Sequence, residues 1–209
     1  MEEMTTEILQ PTAENLIRAG ELIRRGELVA FPTETVYGLG ANGLNVDACR
    51  KIYVAKGRPE NKPLTLHIAD FAQIAELAEI STVAERLIKK FCPGPLTLIL
   101  PKTDIVPDFV TCGSGGVGIR FPDNKIAQDL IKISGCPIAA PSANISGEVA
   151  PVTAREVFNG LNGKVQIILD GGKCSVGISS TVIDITDGLK ILRRGTITIT
   201  EIEHCLRNR

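Results

Sequence analysis

Two polar segments interrupt otherwise apolar runs. PTETVYGLG followed by KGRPENKPLTLHI lies within residues 32–68, and APSANISG spans 140–147. Lys56 and Arg58 set two cations two residues apart, and Asn61 and Lys62 follow ahead of an apolar run. Ser142 and Asn144 repeat the spacing with neutral hydrogen-bonding groups. Ammonium and guanidinium donors beside neutral ones suit the oxygens of a polyphosphate, and the same set is costly to bury as core. Each piece alone also fits a plainer role. Cations gather at helix C-termini, and a turn of Ser, Asn and Gly needs no function. Arg120 between Ile119 and Phe121, and Arg193 at the end of LKILR, tilt the balance toward a site, because arginine is seldom set in an apolar strand without a partner. Cations leaving separate strand ends can converge on one anion in the crevice of an open α/β sheet.

The two histidines are His67, in LTLHI, and His204, near the C-terminus. Neither has a second histidine or an acidic cluster at ligand spacing, so a protein-caged catalytic metal is not expected. His67 fits a satisfied structural histidine, and a strand position just after Lys56 and Arg58 also lets it reach a substrate. Gly38-Gly40-Gly43 and Gly113-Gly115-Gly118 match G-x-G-x-x-G. Pro32 to Tyr37 separate the first from its strand and the second runs into a strand, whereas a pyrophosphate loop turns directly into a helix. There is no Walker A loop, Ser-x-x-Lys or G-x-S-x-G, so the two commonest phosphate loops and serine acyl transfer are not indicated.

These residues must be positioned by alternating helices and short strands. Thr12 can cap a helix with Leu16, Ala19, Leu22 and Ile23 on one face, ended by Gly26 before LVAF. A second helix follows Asn45, carries Val46, Cys49, Ile52 and Tyr53 inward, and holds Lys56 in its last turn. LTLHI reads as a strand. Asp70 opens a helix, Thr82 with Glu85 forms a capping box for another, and Cys92-Pro93-Gly94-Pro95 stops it before the strand LTLIL. Then come the loop TCGSGG, the strand VGIRF, a helix after Asp123, the strand PIAA, a helix capped by Thr153 and Glu156, and the strand VQIIL. STVIDI, an Asp187-Gly188 turn and LKILR read as a hairpin, and Thr200 with Glu203 caps a last helix. This alternation predicts an α/β layered domain with a mixed sheet, and no linker-like stretch divides residues 1–209.

At 209 residues, 44% hydrophobic and 22% charged, the chain can bury a sizeable core. A net charge of −1 provides no global basic field, so nucleic acid is at most a weak or indirect partner. Six widely spaced cysteines without a C-x-x-C pair read as reduced thiols. The acidic start MEEMTTEILQ is no secretory signal, and no apolar run approaches the roughly 20 residues that span a bilayer. A soluble, cytoplasmic protein is expected.

Several motifs then follow in order: Thr-Glu-Thr-Val-Tyr-Gly at 33–38, Lys-x-Arg at 56–58, Lys62-Pro63-Leu64 with His67, and Pro93-Gly94-Pro95-Leu96-Thr97. After them come Gly118-Ile119-Arg120-Phe121-Pro122, Pro141-Ser142-Ala143-Asn144, Ser180-Thr181-Val182-Ile183-Asp184 and Leu192-Arg193. Together they resemble the YrdC-like family of threonylcarbamoyl-adenylate synthases. The resemblance implies one YrdC-like domain over residues 1–209, a twisted mixed β-sheet flanked by helices with a concave ligand-binding surface. It also implies that ATP, bicarbonate and L-threonine react to threonylcarbamoyl-adenylate and pyrophosphate, for threonylcarbamoyladenosine modification of tRNA. By resemblance, Lys56, Arg58, Ser142 and Asn144 are catalytic, and these four with Lys62 and Arg193 bind ATP. Thr35, His67, Arg120 and Ser180 form the threonine set, with Arg120 on the carboxylate. Mg²⁺ would enter with ATP, and the downstream tRNA threonylcarbamoyltransferase complex is an implied partner. Many relatives have Asn where this chain has Lys62. The chain resembles the single-domain form without the linker and second domain of longer relatives. Two other readings are a noncatalytic RNA-binding module, which leaves Thr35, His67 and Ser180 without a purpose, and an ATP-dependent carbamoyl-transfer enzyme with another acceptor.

Overall fold

The structure is a computed structural model that describes residues 5–207. The first four residues of the acidic start therefore lie outside the described residues. Strand β1 (Glu7–Leu9) precedes α1 (Ala13–Arg24), which Thr12 caps by accepting a hydrogen bond from the Asn15 amide at 3.3 Å. Gly26, at φ +79°, turns the chain toward the fully buried β2 (Val29–Phe31). Next come β3 (Gly38–Asn42), α2 (Val46–Lys56) under its Asn45 cap, β4 (Thr65–His67), α3 (Ala72–Leu77) and α4 (Thr82–Phe91). The middle of the chain is β5 (Leu96–Pro101), α5 (Asp108–Thr111), β6 (Gly116–Arg120), α6 (Lys125–Ser134) and β7 (Ile138–Ala139). It ends with α7 (Ala154–Leu161), β8 (Ile167–Leu169), the hairpin β9 (Thr181–Asp184) and β10 (Lys190–Arg193), and α8 (Ile199–Arg207).

The strands form one mixed sheet in the order β1-β8-β2-β3-β7-β4-β6-β5-β9-β10. Alternate residues of a strand point to opposite faces. Val29, Phe31, Ile138, Ile167 and Leu169 accordingly join one apolar cluster with Leu16, Ile23, Leu130 and Ile131 of α1 and α6. Ala30, Ala139 and Ile168 join the other, with Ile52 and Tyr53 of α2 and Leu87 of α4. Helices thus cover both faces and leave the strand ends as the place for a site. Among the described residues no helix is long and apolar enough to cross a membrane.

Several local expectations are corrected. The segment 38–42, for which the sequence pattern gives no strand, is a strand between β2 and β7. A Cβ on Gly40 would sit 2.8 Å from both Phe31 and Ile138, so here glycine makes room for neighbouring side chains instead of breaking the strand. Ser81 rather than Thr82 caps α4, and Glu85 pairs with Lys89. Asn124 caps α6. Thr198 and Glu201, not Thr200 and Glu203, bond reciprocally at the start of α8. The caps of α4 and α8 lie one and two residues N-terminal to the expected ones, where an extended residue can aim its oxygen at the first-turn amides, whereas α6 starts after Asp123 as expected. Thr153 and Glu156 do form their capping box. All six cysteines are free thiols.

Candidate active site

Three strands bring distant residues into one row. Register pairs His67 of β4 with Arg120 of β6, and Arg120 with Thr97 of β5. Directly opposed residues share a face, so the three side chains stand together. Thr97 Oγ1 and Ser180 Oγ share a hydrogen bond of 2.8 Å just before β9. Arg193, returning on β10, donates from Nη2 to Ser180 Oγ and from Nε to Ser180 O, both at 2.9 Å. A cleft of about 200 Å³ opens on this row, with Arg58, Pro63, Pro141 and Ser142 also in its lining. A wider groove of about 600 Å³ near Leu28, Val54 and Ala55 carries Arg50, Lys51 and Lys164 but no histidine, serine or threonine, and its Arg50 and Lys51 are tied to Asp47 at 2.9 Å and to Glu27 at 2.7 Å.

The other wall is the loop after β7. Ser142 Oγ donates to Asn144 Oδ1, and Asn144 Nδ2 donates to the carbonyls of Ile145 (2.8 Å) and Glu148 (2.9 Å). Lys56 ends α2 and is only 2% exposed, and its Nζ donates to the carbonyls of Ser142 and Asn144. Burial, then the neighbouring Arg58, brings the Lys56 ammonium down to about 8. Gly57, at φ +58°, caps α2 and swings the chain so that Arg58 Nη2 donates to Pro63 O at 3.1 Å, leaving Nε buried without a partner. Burial lowers the Arg58 guanidinium, and burial with Arg120 lowers that of Arg193. His67 is pushed down to about 3, first by burial and then by Arg120, so it is neutral through the physiological range.

Arg58, His67, Arg120, Ser142, Ser180 and Arg193 meet at the cleft. Lys56 sits behind the loop it grips, and Thr35 sits behind Arg120, with Oγ1 accepting from Nη2 at 2.7 Å. Asn144 opens onto an adjoining groove with Glu148 and Asn159. Lys62 is exposed, and its carbonyl accepts from the Tyr53 hydroxyl at 2.9 Å. Thr97 and Glu34 were missed by sequence reasoning. Glu34 is 8% exposed and pairs with Arg120 at 2.9 Å. An acidic residue between runs as apolar as LVAF and VYGL was the available signal, since such a group needs a buried cation. Thr97 gave none, because threonine is an ordinary strand residue.

The sequence profile of the Sua5/YciO/YrdC family, described as "Telomere recombination", matches residues 21–195. A curated Pyrococcus abyssi protein named threonylcarbamoyl-AMP synthase is 52% identical over 187 residues, 88% of this chain and 55% of its own length. The Bacillus subtilis protein of the same name is 48% identical, over 95% of this chain and 58% of its own. The crystal structure of P. abyssi Sua5 complexed with L-threonine is similar with a TM-score of 0.92 and 47% identity, over 97% of this chain and 60% of that one. This chain thus spans a little over half the length of these relatives.

Proposed function

This chain belongs to the Sua5/YciO/YrdC family, and from that premise we propose that it is a threonylcarbamoyl-adenylate synthase, a nucleotidyltransferase acting in tRNA threonylcarbamoyladenosine modification. The observation that carries the reading is the cleft itself, where Arg120, His67 and Ser180 face Arg58 and Ser142. An amino acid presents a carboxylate, which suits a guanidinium, and small polar groups, which suit neutral donors and acceptors. Arg120 takes the carboxylate of threonine, and His67, Ser180 and Thr35 define the space for its hydroxyl and nitrogen. Arg58, Ser142, Asn144, Arg193 and Lys62 serve the nucleotide, which arrives as its Mg²⁺ complex. Lys56 adds its charge from behind the loop. The complex of the similar P. abyssi Sua5 with L-threonine supports an amino-acid substrate.

The amine of threonine adds to bicarbonate, releasing water and leaving a carbamate. A carbamate oxygen then attacks the α-phosphorus of ATP, forming the new P–O bond as the bond to pyrophosphate breaks. No protein nucleophile is required, so these side chains act by alignment and by stabilising charge on the phosphoryl oxygens and the leaving pyrophosphate. The unstable product calls for a receiving enzyme, the tRNA threonylcarbamoyltransferase complex. Pyrophosphate release should require ATP, Mg²⁺, bicarbonate and L-threonine together, and should fall at least tenfold when L-serine replaces threonine. Release that ignores the amino acid would overturn the proposal.

A further inference from the structure

Arg120 is held by one short segment. Its Nη2 donates to Glu34 Oε1 at 2.9 Å, to Thr35 Oγ1 at 2.7 Å and to Thr33 Oγ1 at 3.5 Å. All three acceptors fall on a single nitrogen, while Nε is buried without a partner. A guanidinium is planar, so anchoring one terminal nitrogen sets the plane and leaves other donors for whatever enters the cleft that Arg120 lines. At 6% exposure that cation needs a countercharge, and Glu34, at 8%, supplies it. Yet the pair is not closed into two parallel bonds, since Glu34 Oε2 also lacks a partner. A purely structural pair would gain by closing.

We infer that Glu34 is a positioning residue for substrate recognition: it orients Arg120 and balances its charge, so that the open part of the guanidinium receives the α-carboxylate of the amino acid. This rests on the synthase reading above and adds a residue to its threonine half. The role belongs to the side chain, because the Glu34 carbonyl separately accepts from Val176 N at 2.9 Å and Ser175 Oγ at 3.3 Å, contacts that substitution leaves in place.

The test is calorimetric titration of L-threonine, and separately of pyrophosphate, into the wild-type chain and the variants Glu34→Ala, Glu34→Gln and Glu34→Asp. Glu34→Ala should weaken threonine at least tenfold and leave pyrophosphate within about twofold. Glu34→Gln, which keeps an oxygen acceptor but not the charge, should recover part of the loss and no more. Glu34→Asp keeps the charge but draws the anchor back, and should weaken threonine several-fold, which decides the matter if the alanine variant does not fold. Unchanged or tighter threonine binding in Glu34→Ala or Glu34→Asp would overturn the assignment, tighter binding meaning that Glu34 competes with the substrate carboxylate. Equal loss for threonine and pyrophosphate would also overturn it, as a general structural defect. Wild-type protein that binds pyrophosphate but no threonine would remove the synthase premise itself.

Discussion

Lys56 carries its charge in a place where the charge is costly, and this gives the residue two opposite dependences on pH. Its ammonium is brought down to about 8 by burial and by Arg58, against an ordinary 10.5. Between those values the unfolded chain binds more protons than the folded one, so the contribution of Lys56 to stability rises with pH across that window. Phosphate affinity should move the other way. As pH passes through about 8 the unliganded protein loses this cation, and pyrophosphate binding should weaken by about threefold by pH 9.5, the scale of a charge acting through the loop and not by direct contact. Titration of pyrophosphate at a series of pH values checks this, with Lys56→Arg, whose charge is permanent, as the reference. The wild-type limb should be absent in Lys56→Arg, and a flat wild-type profile would take Lys56 out of the phosphate site. The cations at 56, 58, 120 and 193 were legible in the sequence because charge beside apolar runs is conspicuous. What Lys56 touches was not, since its two carbonyl partners lie 86 and 88 residues away.

At the scale of elements, the hairpin that returns Arg193 to Ser180 depends on one glycine. A Cβ on Gly195 would meet Ser179 O and Thr181 N, both at 2.5 Å, and backbone atoms cannot step aside as a flexible side-chain tip can. Gly195→Ala should therefore push residues 179–181 away and break the contacts of Ser180 with Thr97 and Arg193. The expected cost is about 1–3 kcal/mol of stability, as for other overpacked sites, with a drop in pyrophosphate release of tenfold or more. Thermal melting and turnover, measured together, check it; wild-type turnover would show that the hairpin does not shape the site. Helices were read from the sequence more surely than strands. The stripes of α1 and α2 and the caps Thr12, Asn45 and Thr153 are local signals, present within a few residues of the structure they specify. Strand β3 was hidden because its glycines are explained by Phe31 and Ile138, which belong to neighbouring strands.

For the whole molecule, a net charge of −1 conceals a cleft region built from Lys56, Arg58, Arg120 and Arg193 with Glu34 as counterweight. That convergence is a product of topology. The order β4-β6-β5-β9-β10 sets His67, Arg120, Thr97, Ser180 and Arg193 side by side although they span more than half the chain. Periodicity identifies strands but does not order them, so the sequence alone could propose that the cations converge but not which strands bring them together. The most direct measurement of the reaction is mass spectrometry of the adenylate formed from ATP, Mg²⁺, L-threonine and ¹³C-bicarbonate. Threonylcarbamoyl-adenylate heavier by one mass unit at its carbamoyl carbon is expected, in amounts matching the pyrophosphate released. An unlabelled threonyl-adenylate, or no adenylate at all, would contradict the synthase reading.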